Sequence, residues 1–234
     1  MRMDALNQTE GYTTPGSDEK ADADLVASVK DQARKLFHSA SGSHDWDHTR
    51  RVAALCEHIG RVEKADLKVL RIAAYLHDIG RCHQDRSSGR QCHAREGARM
   101  AADILGAMPL TGSEKENIIH CVRSHRFREN HAPETLEAKV LFDADKLDAI
   151  GAVGVARAYL FAGEVGARLH NPDIDVTAAP AYSENDTGYR EYLVKLRHIH
   201  TRMLTTEGRR LAAERHAFME AFFARFISEI EGRL

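Results

Sequence analysis

Ala73-Ala74-Tyr75-Leu76-His77-Asp78-Ile79-Gly80 is the run around which this chain is organised. Its first half favours a helix, and Gly80 is the residue type that ends one in a left-handed C′ conformation, which puts His77 and Asp78 in the last helical turn. The carbonyls without intrahelical partners and the negative end of the macrodipole lie there, so the position suits a cation. A neutral imidazole beside a carboxylate offers it one nitrogen and one oxygen donor. Leu67, Leu70, Ile72, Ala73 and Leu76 supply the apolar positions of a helix expected over Asp66 to Ile79.

Two further stretches share this chemistry. Upstream lies Ser43-His44-Asp45-Trp46-Asp47-His48-Thr49-Arg50-Arg51-Val52, and downstream lies Phe142-Asp143-Ala144-Asp145-Lys146-Leu147-Asp148. Asp45 or Asp47 can cap a helix whose buried stripe is Val52, Leu55, Cys56 and Ile59, up to Gly60. His44 and His48 are four residues apart and share a face if both are helical, but the intervening acid is Asp45, not the Glu of a zinc-protease motif. Asp143 and Asp145 lie about 200° apart on a helical wheel, so only one can face a given ion from a continuous helix. Periodicity does not choose between them, because apolar residues surround both.

This ordered set resembles the HD-domain superfamily of metal-dependent phosphohydrolases. The nearest likeness is a small bacterial branch similar to (deoxy)nucleoside triphosphate pyrophosphohydrolases, and it extends over about residues 24–232. It includes the Asp-Ala-Asp-Lys-Leu-Asp-Ala-Ile-Gly-Ala run and the later Thr206-Glu207-Gly208-Arg209-Arg210 and Arg215-His216-Ala217-Phe218-Met219. The resemblance implies an all-α HD-domain bundle with additional C-terminal helices. It implies His48, His77, Asp78 and Asp145 as metal ligands, Asp78 and Lys146 as catalytic groups, and a small phosphorylated substrate, a nucleotide. His44, Arg51, His93, His125 and Asp148 are the expected substrate contacts. His93 and His125 stand where similar enzymes carry extra histidines for a second metal or for phosphates, and His93 opens a helix, where phosphate is favoured. His120, Arg126 and Arg128 are expected on a solvated face.

Two imidazoles and two carboxylates suit Mn²⁺, with Fe²⁺, Co²⁺, Ni²⁺, Zn²⁺ or Mg²⁺ as other choices. Hydrolysis of a phosphate ester or anhydride follows from such a site. A dinuclear iron oxygenase and a non-catalytic nucleotide-binding module are the competing classes.

Composition narrows the context. With 43% hydrophobic and 29% charged residues the chain can bury one core, and residues 23–234 are expected to form a single domain. Residues 1–22 lack apolar periodicity and are expected to be a flexible tail. A net charge of -2 gives no general attraction to nucleic acid or to an acidic membrane. The four cysteines show no paired zinc-ligand spacing, and no stretch reads as a signal peptide or membrane span, so the expected compartment is the cytoplasm.

The remaining expectations are structural. Asp24 to Phe37 should form a helix, and Trp46 should belong to the core. Arg81 to Gln91 reads as a mobile loop, and His93 to Leu105 and Glu114 to Arg123 as helices. Lys139 to Tyr159 reads as one long helix, and Gly163 to Gly188 as a lid. Tyr189 to Leu204 and Glu207 to Ile230 read as amphipathic helices, the second with a core stripe of Phe218, Phe222, Phe226 and Ile230.

Overall fold

Asp66 and Asp45 show how the site helices begin. Asp66 accepts the main-chain N–H groups of Lys68 and Val69, capping the helix α3 over Leu67–Leu76. Asp45 accepts the N–H of His48 and caps α2 over Trp46–Glu63. Each carboxylate satisfies donors that the first helical turn leaves without intrahelical partners. The computed structural model describes residues 16–37, 45–87, 90–126, 131–171, 175 and 178–233. Among these residues there are helices and no strands, so the architecture is all-α.

α1 spans Ser17–Leu36 and packs on α3. It begins before the boundary expected near residue 23, because Asp18 and Glu19 complement the dipole of the first turn and Asp22 reaches Lys68 at 3.3 Å. α2 runs beyond Gly60 and ends where Lys64 turns left-handed at φ 62°. Trp46 packs between Phe37 and Tyr75 against the core.

α3 is shorter than expected. It stops at Leu76, and His77 to Gly80 form the turn into α4, Arg81–Arg86. The stretch expected as a loop after Gly80 therefore starts as a helix. Gly80 does not adopt the left-handed conformation expected of a C′ residue. A Cβ there would collide with the carbonyl oxygen of His93 and lie 2.6 Å from the nitrogen of Gly97. The glycine is needed because α5, His93–Gly106, presses directly on the turn that carries His77 and Asp78.

α6 spans Gly112–Ser124 and opens with a Thr111/Glu114 capping box. The long helix expected over Lys139 to Tyr159 is two helices, α7 over Leu136–Leu147 and α8 over Gly151–Glu164. Gly151, at φ 77°, makes the break. α9, Gly188–Val194, leads into a 3-10 helix, Leu196–Arg202, and α10 spans Thr206–Ile230. α3 sits at the centre, against α1, α2, α6 and α7, while α10 braces α2, α7 and α8 from outside.

The stripe expected on α10 is shifted. Met219 and Phe223 are buried, whereas Phe218 is 46% exposed; Phe222 and Phe226 flank the core half-buried. Phe223 stacks on Tyr192 of α9 at 4.2 Å between ring centroids, and this contact sets the face. The stretch expected as a lid lies partly outside the described residues. Its described parts are held by the Arg168 N–H donating to Glu184 O and by Arg190 bonding Asp186 and Ala179 O. Among the described residues no helix is long and apolar enough to cross a membrane.

Candidate metal centre

Four histidines and two aspartates from α2, α7 and the ends of α3, α5 and α6 converge. His48, His77 and Asp145 form one group, and Asp78, His93 and His125 form another, with donor atoms in each group within 4.8 Å of one another. In the first group His48 Nε2 lies 3.3 Å from His77 Nε2 and 3.5 Å from Asp145 Oδ1. Asp78 spans the two groups. Its Oδ2 is 3.8 Å from His48 Nε2 and 3.7 Å from His77 Nε2, and its Oδ1 is 3.1 Å from His93 Nε2 and 3.6 Å from His125 Nε2.

The back of each ring explains why the front suits a cation. His77 Nδ1–H donates to Ala74 O at 2.8 Å, and His125 Nδ1–H donates to Val122 O at 2.7 Å. His48 Nδ1 faces Asp148 Oδ2 at 2.7 Å. With Nδ1 committed as a donor, the Nε2 atoms of neutral His48 and His77 present lone pairs to each other, a repulsive contact that a proton or a metal ion relieves. Donors bound cis to one ion at about 2.1 Å sit roughly 3 Å apart, close to the spacing here. The donor set fits a divalent metal.

Asp148 was expected to hydrogen-bond a ligand or substrate, and in the structure it bonds a candidate ligand, His48. Its side chain is buried and accepts from His48, from Arg51 Nε at 2.7 Å and Nη2 at 3.1 Å, and from Arg157 Nη1 at 2.7 Å. It holds the back of a candidate ligand. Arg51 is likewise tied to Asp148, although its side chain stays 36% exposed. Lys146 lies beside the site, 2.6 Å from Asp145 Oδ2 and over the Phe142 ring.

The alternative carboxylate has a different task. Asp143 is buried and accepts the N–H of Leu204 and of Thr205 at 2.8 Å each, plus the Thr205 hydroxyl at 2.6 Å. It ties α7 to the start of α10, and Asp145 alone of the two is in the cluster. His44 and Arg128 lie outside the described residues.

Sequence reasoning missed three neighbours. Arg81 Nη2 approaches Asp78 Oδ2 at 3.4 Å from the stretch expected to be a loop. Arg126, expected on a solvated face, lies with Nη1 3.0 Å from Gln84 Oε1 and 3.2 Å from His93 Nδ1. Gln84 carried no signal beyond following an HD pair by six residues. His120 is half-buried and accepts the N–H of Glu134.

Charge differs across the cluster. Burial opposes protonation of His48, but Asp145 and Asp148 outweigh it and raise its pKa to about 9. Burial lowers His77 to about 4 and His93 to about 3. Burial alone would raise Asp145; the Lys146 ammonium and His48 hold it well below the usual carboxylate range. Asp148 is held low in the same way by His48 and Arg51 against its burial. One proton on His48 therefore takes the place of a cation in the first group.

The family described as HD domain has a sequence model that matches residues 45–150. The YpgQ protein of Bacillus subtilis is 32% identical over 212 residues, covering 87% of this chain and 93% of that protein. The chain belongs to the HD domain family. YpgQ has also been solved in complex with ADP; that structure shares 28% identity, covers 92% of this chain and 97% of the other, and superimposes with a TM-score of 0.67. A structure from an uncultured Thermotogales bacterium, described as a predicted HD superfamily hydrolase, shares 29% identity over 87% of this chain and 91% of its own, with a TM-score of 0.63. Ribonuclease Y of Borreliella burgdorferi is 28% identical over 121 residues, 52% of this chain but only 22% of that protein. This HD-domain chain is accordingly an HD-superfamily hydrolase whose His/Asp cluster fits a divalent metal.

Proposed function

We propose that the protein is a metal-dependent phosphohydrolase that cuts (deoxy)nucleoside triphosphates between the α and β phosphorus atoms, releasing a monophosphate and pyrophosphate. The observation that carries the hydrolytic reading is the pair of Nε2 atoms of His48 and His77, 3.3 Å apart and bordered by Asp78 and Asp145. These four residues would hold the ion, Mn²⁺ by preference for a mixed nitrogen and oxygen set. When bound, such an ion supplies Lewis acidity towards a phosphoryl oxygen and makes water acidic enough to attack phosphorus near neutral pH.

The protein's own groups do the rest. Asp78 accepts the proton of the attacking water on a carboxylate oxygen. Lys146 beside Asp145, Arg81 beside Asp78 and Arg126 beside His93 bring positive charge to the rim, suited to a chain of phosphates. A nucleotide as substrate is supported by the ADP bound in the YpgQ structure, and the bond position by the likeness to the pyrophosphohydrolase branch.

Assay of the Mn²⁺-loaded protein against a nucleotide panel, with orthophosphate and pyrophosphate measured separately, tests both. Pyrophosphate with a monophosphate is the expected pair. Orthophosphate as sole primary product would assign a phosphatase or nucleotidase, and turnover of cyclic dinucleotides alone a phosphodiesterase. A dinuclear iron oxygenase is the second reading, favoured by His93 and His125 joining Asp78. Oxygen uptake by the Fe²⁺-loaded protein without phosphate release would select it.

A further inference from the structure

Gln84, on the short helix after the HD pair, meets three donors with one atom. Its Oε1 lies 3.3 Å from the main-chain nitrogen of His93, 2.9 Å from His93 Nδ1 and 3.0 Å from Arg126 Nη1. The main-chain N–H and the guanidinium can only donate, so the amide atom between them is the oxygen and not the nitrogen. An oxygen that accepts from both sides can only accept from the imidazole as well. His93 Nδ1 at 2.9 Å is placed to donate its hydrogen to this oxygen, and the same acceptor serves α5, whose own N-cap Cys92 makes no side-chain cap.

We propose that Gln84 is a positioning residue whose amide oxygen locks His93 as the Nδ1–H tautomer, keeping the lone pair of its Nε2 bare beside Asp78 and His125 and open to a cation.

The lock matters because a competing arrangement lies within reach. Arg126 Nη1 is also 3.2 Å from His93 Nδ1, and Asp78 Oδ1 is 3.1 Å from His93 Nε2. Without the amide oxygen, Arg126 would donate to a bare Nδ1 and the hydrogen would move to Nε2, where Asp78 accepts it. His93 Nε2 would then be blocked. In the locked tautomer it faces His125 Nε2 at 3.2 Å, and His125 has its own Nδ1–H committed to Val122 O. Two lone pairs and a carboxylate oxygen converge, an arrangement for a cation and not for a phosphate oxygen, which needs a donor. Of the two roles expected for His93 and His125, a second metal or substrate phosphate, this arrangement favours the metal. The tautomer stands independently of the reaction; only its consequence for a cation rests on the hydrolase reading.

Long-range ¹H–¹⁵N spectra of the full-length protein loaded with one equivalent of Zn²⁺, which the half of His48 takes and which leaves His93 Nε2 without metal, read the tautomer directly, with His93 assigned by comparison with His93→Ala. The wild type and Gln84→Glu, which keeps an acceptor, are expected to show Nδ1–H. Gln84→Leu should shift His93 to Nε2–H, and adding Arg126→Met, which removes the competing donor, should restore a substantial Nδ1–H population. Nε2–H in the wild type, or Nδ1–H fully retained in Gln84→Leu, would overturn the proposal. Should Gln84→Leu not fold, the wild-type spectrum decides alone. Nucleotide turnover is not read, so failure of the reaction assignment and failure of the tautomer lock remain distinguishable.

Discussion

The two halves of the cluster are built from the same residue types and are backed differently. Behind His48 stands an ionised carboxylate, Asp148, itself fixed by Arg51 and Arg157. Behind His93 stands a neutral amide beside a guanidinium. The first half also has Asp145, whereas the second draws on the shared Asp78 and is otherwise imidazole. The outcome is a histidine at about 9 on one side and one at about 3 on the other, separated by a single carboxylate. Asp145 within the half and Asp148 behind it together decide which half attracts a proton or an ion first. The half of His48 should therefore bind a divalent ion more tightly than the half of His93.

The largest effect that would break this comparison is on the first half itself. Asp145→Ala and His77→Ala should each weaken Mn²⁺ binding by about a thousandfold or more and abolish turnover, because each removes a ligand. Full metal content and activity in either variant would remove the site assignment.

Acidity gives the next effect. In the metal-free protein His48 is protonated at neutral pH, so Mn²⁺ must displace about one proton, and its affinity should rise about tenfold per pH unit between roughly pH 7 and 9. The sign for folding is opposite. A raised His48 pKa stabilises the metal-free protein fully below about 6.5, and this is lost as pH rises through about 9. Calorimetric titration in buffers of different ionisation enthalpy counts the proton released, and no release at pH 7 would contradict the asymmetry.

Asp148→Ala should lower Mn²⁺ affinity by about 10- to 100-fold while leaving the ligands in place. His125→Ala should leave the first equivalent of Mn²⁺ within a few fold of wild type. An equal loss in both variants would mean that the halves act as one. The smallest effect on metal is expected from Asp143→Ala, which should retain the ion but lower the melting temperature, at about 1–3 kcal/mol for each main-chain donor left without its acceptor.

The contrast also marks what the sequence could convey. Helical periodicity and capping residues made the all-α fold and most helix positions readable, since those signals are local. His48, His77, Asp78 and Asp145 were identifiable through an ordered motif, and the structure brings them together. Asp148 and Asp143 could be singled out as supporting carboxylates, but their partners were not readable. Asp148 bonds a histidine 100 positions earlier, and Asp143 bonds main-chain groups 61 and 62 positions later. Arg126 and Gln84 resemble any surface residues until α4 and α6 place them together. The break at Gly151 was missed because its neighbours are mostly small and apolar, and it is made by backbone conformation, extended at Ile150 and with positive φ at Gly151.

The Asp143 tie has a consequence for how the chain is made. Every candidate ligand lies between residues 48 and 145, but α7 is braced by groups at 204 and 205 and by Arg215, which donates to Leu147 O. During synthesis from the N-terminus, the ligands leave the ribosome well before the element that sets their helix. A nascent chain carrying all six donors still lacks the groups at 204, 205 and 215 that brace α7.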